Sequence, residues 1–419
     1  MHKFHLKNSI RYYLLIVLSL GFLFLSNDFG VTDVQKTAIV VAAGIDRQED
    51  TFIVTSQVAI PQSSKQGNSS QAVQIVSRGK TVGEAFEEIN AKTGWYPKLV
   101  FCDLIVLGES AKNSDVFAAL DFFLRDEYLS DDCLLAVCEG TAKDLLNTSA
   151  LVDPSSSAAM KKVLSSHAER VGTVLPNTLR EFAIGYFSDS KSSYLPILTT
   201  EPQQEKIGNN DKSQSQNGEK SEGNSGESGN GNSAQSSSQS QQDEGQTPQD
   251  KPVFSARETA LFVNGKWVES LNSEETFAFA TVQSKLQLAS YTINDGENAC
   301  SLNIRRNSPS VKLKAGDGDF FSLKIDLTLT AGLLDYAQSQ PIDKISDAGD
   351  VPEEFFTVAT KKLAGEIESV YEKCRGVKCD IFGVRERLTK YGKRALKDKG
   401  SVALENTRAQ VSVRFQNVR

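Results

Sequence analysis

Histidine is scarce in this chain, and its scarcity excludes several kinds of chemistry. The sequence holds three histidines, and His167 is the only one beyond the amino-terminal segment. A serine–histidine–aspartate triad would need His167, which lies in "LSSHAERVG" on the polar face of a predicted helix, where a solvated side chain is the ordinary interpretation. A zinc site needs several ligands close together. We therefore predict neither a catalytic triad nor a metal centre.

An excess of basic residues is also missing. The chain has 46 lysines and arginines against 53 aspartates and glutamates, which leaves a formal net charge of -7. Nucleic-acid binding requires a basic face that meets the phosphates. The sequence therefore predicts no nucleic-acid partner, and its negative charge does not by itself identify another one.

The remaining patterns that resemble catalytic motifs each lack a required feature. Ser157 and Lys161 are one position too far apart for the serine–lysine motif of penicillin-binding proteins. Asp121 and Asp126 flank Arg125, and such charges on a helix form an ion network more often than a glycosidase pair. We predict no catalytic residue, no cofactor-binding residue and no cofactor.

Long apolar runs are absent except at the amino terminus, where "YYLLIVLSLGFLFL" occupies residues 12–25. Three basic residues precede it, Lys3, Lys7 and Arg11. This pattern is typical of an export signal or a short membrane anchor, and a spanning helix needs about 17 to 25 apolar residues. No small-x-small cleavage site follows, which favours an uncleaved anchor within residues 1–33. Positive charge before the anchor places the rest of the chain outside the membrane.

Six cysteines are present, and five of them, all except Cys300, fall into two groups by their surroundings. Cys102, Cys133 and Cys138 lie in apolar, strand-like runs and are predicted to be core residues. Because Cys133 and Cys138 are five positions apart, a strand would point them to opposite faces. Cys374 and Cys379 in "CRGVKC" could close a short disulfide loop in an exported protein, and the sequence does not decide whether they do.

Aromatic residues are absent from residues 201–252, and aliphatic ones are nearly so. Such a stretch cannot bury enough apolar surface to offset the entropy of ordering. The sequence therefore predicts a disordered polar linker, or tether, that separates a first module at residues 34–200 from a second at residues 253–419.

In the first module, predicted strands alternate with predicted helices. "TAIVVAAGID" and "TFIVTSQVAI" form a hairpin around "RQED", and "LVFCDLIVLG" and "CLLAVCEG" read as buried strands. The helix "TVGEAFEEINAKTG" has Thr81 as its cap, Glu84 completing a capping box and Gly94 as its stop. This alternation predicts a mixed α/β module of one or two subdomains.

The second module begins with a hairpin signal, Asn264-Gly265 between two β-rich runs. Alternating strands follow, among them "CSLNIRRN" and "SVKLKAG", and a long helix is predicted over residues 351–373. We expect a mostly antiparallel sheet packed by this helix, so the fold class of the chain is α+β.

Seven short segments, taken in order, resemble the spore germinant-receptor C-subunit family, Ger(x)C. They include "GIDRQED", "GKTVGEAFEEI", "DFFLRDEYLSDDCLLAVCEGTAKDLL" and a late "DIFG". The positions that match family motifs, and for which a structural role is expected, are Gly44, Asp46, Arg125, Asp126, Asp380, Phe382 and Gly383. In the last segment, residue types predict that Asp380 caps a helix, with Phe382 and Gly383 in a packed turn at its start.

The resemblance implies a non-enzymatic subunit on the outer face of the spore inner membrane. Its partners would be a multi-spanning subunit and a second membrane subunit of a receptor for nutrient germinants. The chain departs from the family because no cysteine precedes Cys102, which excludes lipid attachment at the expected place. The apolar run would therefore have to serve as the anchor.

Two other functions remain open from the sequence. A surface-anchored binding module unrelated to germination would have the same anchor and modules but no neighbouring gene for a multi-spanning partner. A cell-wall hydrolase or transferase would require clustered carboxylates in a cleft, and the sequence contains no such cluster.

Overall fold

A computed structural model of the chain describes residues 12–21, 37–59, 72–148, 153, 155–201, 253–283, 285–295, 298–315, 320–337, 351–391 and 403–418. Residues 12–21 are helical and belong to the predicted anchor, whose other residues lie outside the described ranges. The predicted tether lies outside them as well, apart from Glu201. None of the helices in the described ranges is both long enough and apolar enough to cross a membrane.

Within the described residues, ten strands form a first sheet. They are β1 (Thr37–Gln48), β2 (Thr51–Ala59), β3 (Ala72–Gly79), β4 (Tyr96–Lys98), β5 (Leu104–Leu107), β6 (Leu134–Cys138), β7 (Asn177–Thr178), β8 (Ser192–Glu201), β9 (Val253–Val263) and β10 (Lys266–Leu271). The order is β10–β9–β8–β6–β5–β1–β2–β3, with β4 beside β1 and β7 beside β6. The central strands β1, β5, β6 and β8 are parallel and flanked by antiparallel strands.

Helices cover both faces of this sheet. They are α1 (Val82–Thr93), α2 (Phe117–Arg125), α3 (Ala142–Leu146), α4 (Ser156–Val163), α5 (Ser166–Val171) and α6 (Leu179–Phe187). Buried residues of α1, α2 and α6 share one core, and those of α3 and α4 share another. Cys133 lies in the first core and Cys138 in the second, which confirms that they point to opposite faces. The first module is therefore of the α/β type that the alternation predicts.

The sequence signals at the ends of α1 are present as hydrogen bonds. Thr81 Oγ1 accepts a bond from Glu84 N at 3.1 Å, and the Glu84 carboxylate accepts one from Lys80 N at 2.6 Å. Gly94 ends the helix in the left-handed conformation, with a φ of 73°. The cap and the stop are confirmed, although Glu84 reaches one residue further back than in a standard capping box.

A second sheet is built from four of the described strands, in the order β11–β12–β13–β14. Its strands are β11 (Ala289–Asp295), β12 (Asn298–Ala315), β13 (Phe321–Ala337) and β14 (Thr407–Asn417), and its helices are α7 (Ser273–Gln283), α8 (Glu353–Gly376) and α9 (Val384–Tyr391). The first three strands are antiparallel, whereas β14 is parallel to β13. The buried side of α8 packs into the core of this sheet, so the predicted architecture of the second module is confirmed.

Two strand predictions need correction. "CSLNIRRN" and "SVKLKAG" form the single strand β12, because β13 pairs with it along almost its whole length. At Pro309, β12 pairs with β13 on one side, and no other described strand pairs with it there. Proline is tolerated at such an edge position because its missing N–H can face away from the partner strand. In "LVFCDLIVLG" only Leu104–Leu107 is a strand. Residues 99–103 precede it as a turn, which Cys102 N closes by donating to Leu99 O at 2.8 Å.

The predicted tether joins two adjacent strands of one sheet. Glu201 pairs with Val253, and the antiparallel pairing of β8 with β9 extends to Ser192 and Val263. β9 and β10 therefore belong to the first sheet, although the sequence analysis assigns their residues to the second module. The chain passes to the second sheet only after Leu271. Local sequence does not reveal this pairing, because the two strands are separated by 51 residues in which no β-rich runs flank a turn, as a hairpin signal requires.

All six cysteines are buried and free. Cys379 N donates to Cys374 O at 2.9 Å, so the backbones of these two residues are close without a bond between their sulfurs. The structure therefore has no disulfide between Cys374 and Cys379, and both side chains are free thiols buried in the core. Burial raises the pKa of the Cys379 thiol to about 12 and that of Cys300 to about 11, which keeps both protonated at neutral pH.

We expect iodoacetamide to leave all six thiols unmodified in the native protein and to modify all six in denaturant. The physical reason is that alkylation requires an accessible thiolate, and all six native thiols are buried. Intact mass before and after unfolding measures the number of labels. A native mass lower by two hydrogens, restored by a reductant, would instead show one disulfide, and peptide mapping would show whether it joins Cys374 to Cys379.

Candidate functional site

Residues 379–383, "CDIFG", connect α8 to α9, and we call them the junction turn. Asp380 Oδ1 accepts a hydrogen bond from Val384 N at 2.8 Å, and Oδ2 accepts one from Arg385 N at 2.7 Å. Gly383 has a φ of 69°, in the left-handed region that favours glycine. The predicted cap of α9 by Asp380 is confirmed, and the glycine allows the chain to turn into the helix.

The junction turn also touches the first sheet. Asp380 N donates to Ser192 Oγ at 2.9 Å, at the start of β8. Cys379 Sγ donates to Phe262 O at 3.5 Å, near the end of β9. One short turn of the second half of the chain therefore binds both strands of the hairpin that spans the predicted tether.

An aromatic cluster fills the core beneath the turn. The Phe382 ring lies 5.2 Å from that of Phe279 and 5.4 Å from that of Tyr371, edge-on to both. Tyr194 of β8 contacts Phe279 from the first sheet at 5.6 Å. Edge-to-face pairs are favourable beyond their buried area. The cluster thus joins β8, α7, α8 and the junction turn through one set of rings.

Charge at this junction is buried and hydrogen-bonded. Burial raises the pKa of Asp380, and the N–H groups of Arg385, Val384 and Gly383 act against that rise. Tyr371 donates its hydroxyl to Thr407 O at 3.2 Å, and burial raises its pKa. The Asp380 carboxylate and the Tyr371 hydroxyl thus both have backbone partners, which indicates a structural role for each.

A groove of about 660 Å³ lies beside the junction turn, between α6, the start of β8 and α9. Its lining offers hydroxyls, carboxylates and one amine, including Ser188, Asp189, Ser190, Glu386 and Lys390. Ile184 and Phe187 of α6 add apolar surface, with 60% and 69% of their areas exposed. The groove thus combines polar side chains with two exposed apolar ones.

Gly44 and Asp46 form a separate cluster on β1. Asp46 accepts hydrogen bonds from Ala142 N at 2.8 Å and Lys143 N at 3.2 Å, and so caps α3. A Cβ on Gly44 would lie 2.9 Å from Ala142 Cβ, so the glycine lets α3 approach the strand. A Cβ on Gly108 would lie 1.9 Å from Asp46 Oδ1. Burial raises the pKa of Asp46.

Arg125 and Asp126 lie at the end of α2. Arg125 Nε donates to Asp121 Oδ2 at 2.8 Å, and both side chains are exposed. Asp126 Oδ1 accepts from Tyr128 N at 2.9 Å and Leu129 N at 3.0 Å, which shapes the following turn. An exposed ion pair of this kind contributes little to stability.

The seven family-motif positions are thus divided among three separate clusters. Sequence reasoning missed Gly108, Ser192, Phe279 and Tyr371, which complete two of them. A glycine directly after a buried strand, as Gly108 is, indicates a close approach of another backbone, so this position could have been found from the sequence. Ser192, Phe279 and Tyr371 have no such local signal, because their roles depend on partners far along the chain. Among the described residues, no group of three or more His, Cys, Asp or Glu side chains is placed to hold a metal ion.

Comparison with known proteins gives two kinds of match. A family model described as "Spore germination protein N-terminal domain" matches residues 30–200, and one described as "Spore germination B3/GerAC like, C-terminal" matches residues 257–416. A solved structure titled "Crystal Structure of the GerBC protein" is similar over 90% of this chain and 97% of that chain, with a TM-score of 0.51 and 15% identity. At this identity the similarity shows a shared fold. No curated protein matches the chain.

Proposed function

Because this chain belongs to the spore germinant-receptor C-subunit family and thus has a role in spore germination, we propose that it is a non-catalytic, membrane-anchored subunit of a nutrient germinant receptor. The observation that carries the proposal is the match of both family models, in order, on either side of the polar stretch. The shared fold with the GerBC protein over 90% of the chain supports it.

The apolar run at residues 12–25 serves as the anchor. Its described part, residues 12–21, is helical, and apolar side chains from Tyr12 to Leu20 are exposed on all sides of it. A helix that is apolar all round requires an apolar environment. With no cysteine before Cys102 to carry a lipid, this segment holds the folded part on the outer face of the spore inner membrane.

The chain acts by protein contacts with the multi-spanning subunit and the second membrane subunit. The buried carboxylates of Asp46 and Asp380 are both occupied by backbone N–H groups, which supports structural roles for them. The groove beside the junction turn supplies polar groups suited to such contacts.

Co-purification from dormant-spore inner membranes in mild detergent tests this function. The tagged chain should be recovered in the membrane fraction together with a multi-spanning protein. As a control, replacing Leu15 and Val17 with aspartate should remove the chain from that fraction, because charge in the bilayer core is costly. Recovery of the unaltered chain in the soluble fraction, or only in vegetative cells, would contradict the proposal and favour a secreted binding module.

A further inference from the structure

Five exposed apolar residues lie together at one end of the first sheet, and we call them the aromatic edge: Trp95, Tyr96, Val100, Phe101 and Tyr128. Between 37% and 58% of each residue is exposed. Four of them come from the short segment between α1 and β5. The fifth residue, Tyr128, contacts this segment through Lys98, whose ammonium group lies 5.1 Å from the centre of the Tyr128 ring.

The fold itself does not require these side chains to be apolar. Val100 and Phe101 occupy the centre of the turn closed by the hydrogen bond from Cys102 N to Leu99 O. Glycine, proline, asparagine and aspartate are the usual residues at such positions. Contiguous exposed apolar surface of this kind marks a site of interaction with a partner or a membrane.

The aromatic edge lies where the chain enters the described fold. β4 pairs with the first residues of β1, with Tyr96 opposite Thr37 and Lys98 opposite Ile39. Upstream of Thr37, residues 22–36 lead back to the apolar helix, and even a fully extended chain of that length spans no more than about 54 Å. An anchor in the bilayer therefore keeps this edge within reach of the membrane surface.

The chemistry of the edge fits the interfacial layer of a bilayer. Tryptophan and tyrosine are enriched at that depth, since their rings are apolar and their N–H and O–H groups are polar. Lysine can extend its amine to the headgroups while its stem stays on apolar surface. Four exposed carboxylates lie next to the edge along the chain: Asp103, Glu127, Asp131 and Asp132. Attraction to anionic lipid is therefore not the driving force.

We propose that the aromatic edge inserts into the interfacial region of the bilayer that holds the apolar segment, and so orients the folded part against the membrane. The proposal rests on the membrane anchoring stated under the proposed function. The contact is made by ring insertion and does not depend on lipid charge.

Trp95 can report on this contact in the full-length chain, because the sequence has only two tryptophans. The other, Trp267, is buried, and its Nε1 donates to Glu269 O and Ser270 Oγ, both at 3.0 Å. In a Trp267→Phe variant in phosphatidylcholine vesicles, Trp95 is the single tryptophan, and excitation at the red edge of the absorption band selects it over the tyrosines. We expect its emission to shift to shorter wavelength and to be quenched more by lipids brominated near the headgroup than by lipids brominated deep in the chains.

Two matched variants complete the experiment. A Trp95→Phe chain, which keeps Trp267, should show no quenching by either lipid. In the Trp267→Phe background, Tyr96→Ser with Phe101→Ser should reduce the quenching of Trp95 while the protein still floats with the vesicles. Circular dichroism checks that each variant is folded. Adding phosphatidylglycerol should not increase the quenching.

The outcomes separate this inference from the proposed function. Flotation with quenching supports both. Flotation without quenching of Trp95 overturns the bilayer contact alone. The aromatic edge would then be a candidate binding surface for a protein subunit. Failure to float overturns the membrane anchoring and, with it, this inference.

Discussion

Replacing Phe382 with alanine should lower the free energy of unfolding by about 3 to 5 kcal/mol, the range measured for large aromatic residues in cores. Phe382 is buried in the ring cluster that contains Phe279 and Tyr371. Its removal leaves a cavity where the second half of the chain packs onto β8. Urea unfolding followed by far-UV circular dichroism, with a check that the slope is unchanged, measures the difference.

A matched substitution is available at Phe320, which is 61% exposed. Phe320→Ala deletes the same atoms but creates no cavity, so its effect should stay within about 0.5 kcal/mol. Equal effects of the two substitutions, or an unchanged melting point for Phe382→Ala, would show that the junction turn does not hold the core together.

Excision of residues 202–252 should stabilise the protein by about 3 kcal/mol. Glu201 and Val253 are directly paired, so a two-residue Asn-Gly turn can join β8 to β9 without altering their register. The gain arises because a shorter loop loses less entropy when its ends are brought together. Urea unfolding of the shortened and the complete chain gives the value.

The control is a chain in which residues 202–252 are shuffled at constant length and composition. Its stability should equal that of the unaltered protein, because loop entropy depends on length and not on order. A shortened chain that is less stable, or insoluble, would mean that the polar stretch contributes contacts to the fold. Shortened chains that fold but no longer co-purify with a receptor subunit would assign the stretch a role in assembly.

Features that depend on neighbouring residues could be predicted from the sequence. The ends of α1 follow from Thr81 and Gly94, since a cap and a left-handed stop need only the adjacent backbone. The cap of α9 by Asp380 follows for the same reason. The opposite faces of Cys133 and Cys138 follow from the period of a strand.

Features that depend on distant partners could not be predicted in the same way. β12 is continuous because β13 pairs with it over residues 299–315. This pairing outweighs the turn propensity of "NSP" in the middle of β12. The break before Leu104 comes from the turn closed by Cys102, in a run whose only charged residue is Asp103. Propensity is a weak guide in both places because pairing and burial outweigh it.

The sequence by itself determined the class of the fold, the long helix, the net negative charge and the series of family segments. Each of these features depends on composition, on periodicity or on residues that are close together in the chain. Only the tertiary structure decided that β9 and β10 complete the first sheet, that Asp380 meets Ser192, and that the motif residues form three clusters. Contacts between residues far apart in sequence are selected by the free energy of the whole packed chain, and a local stretch of sequence carries no record of its distant partner.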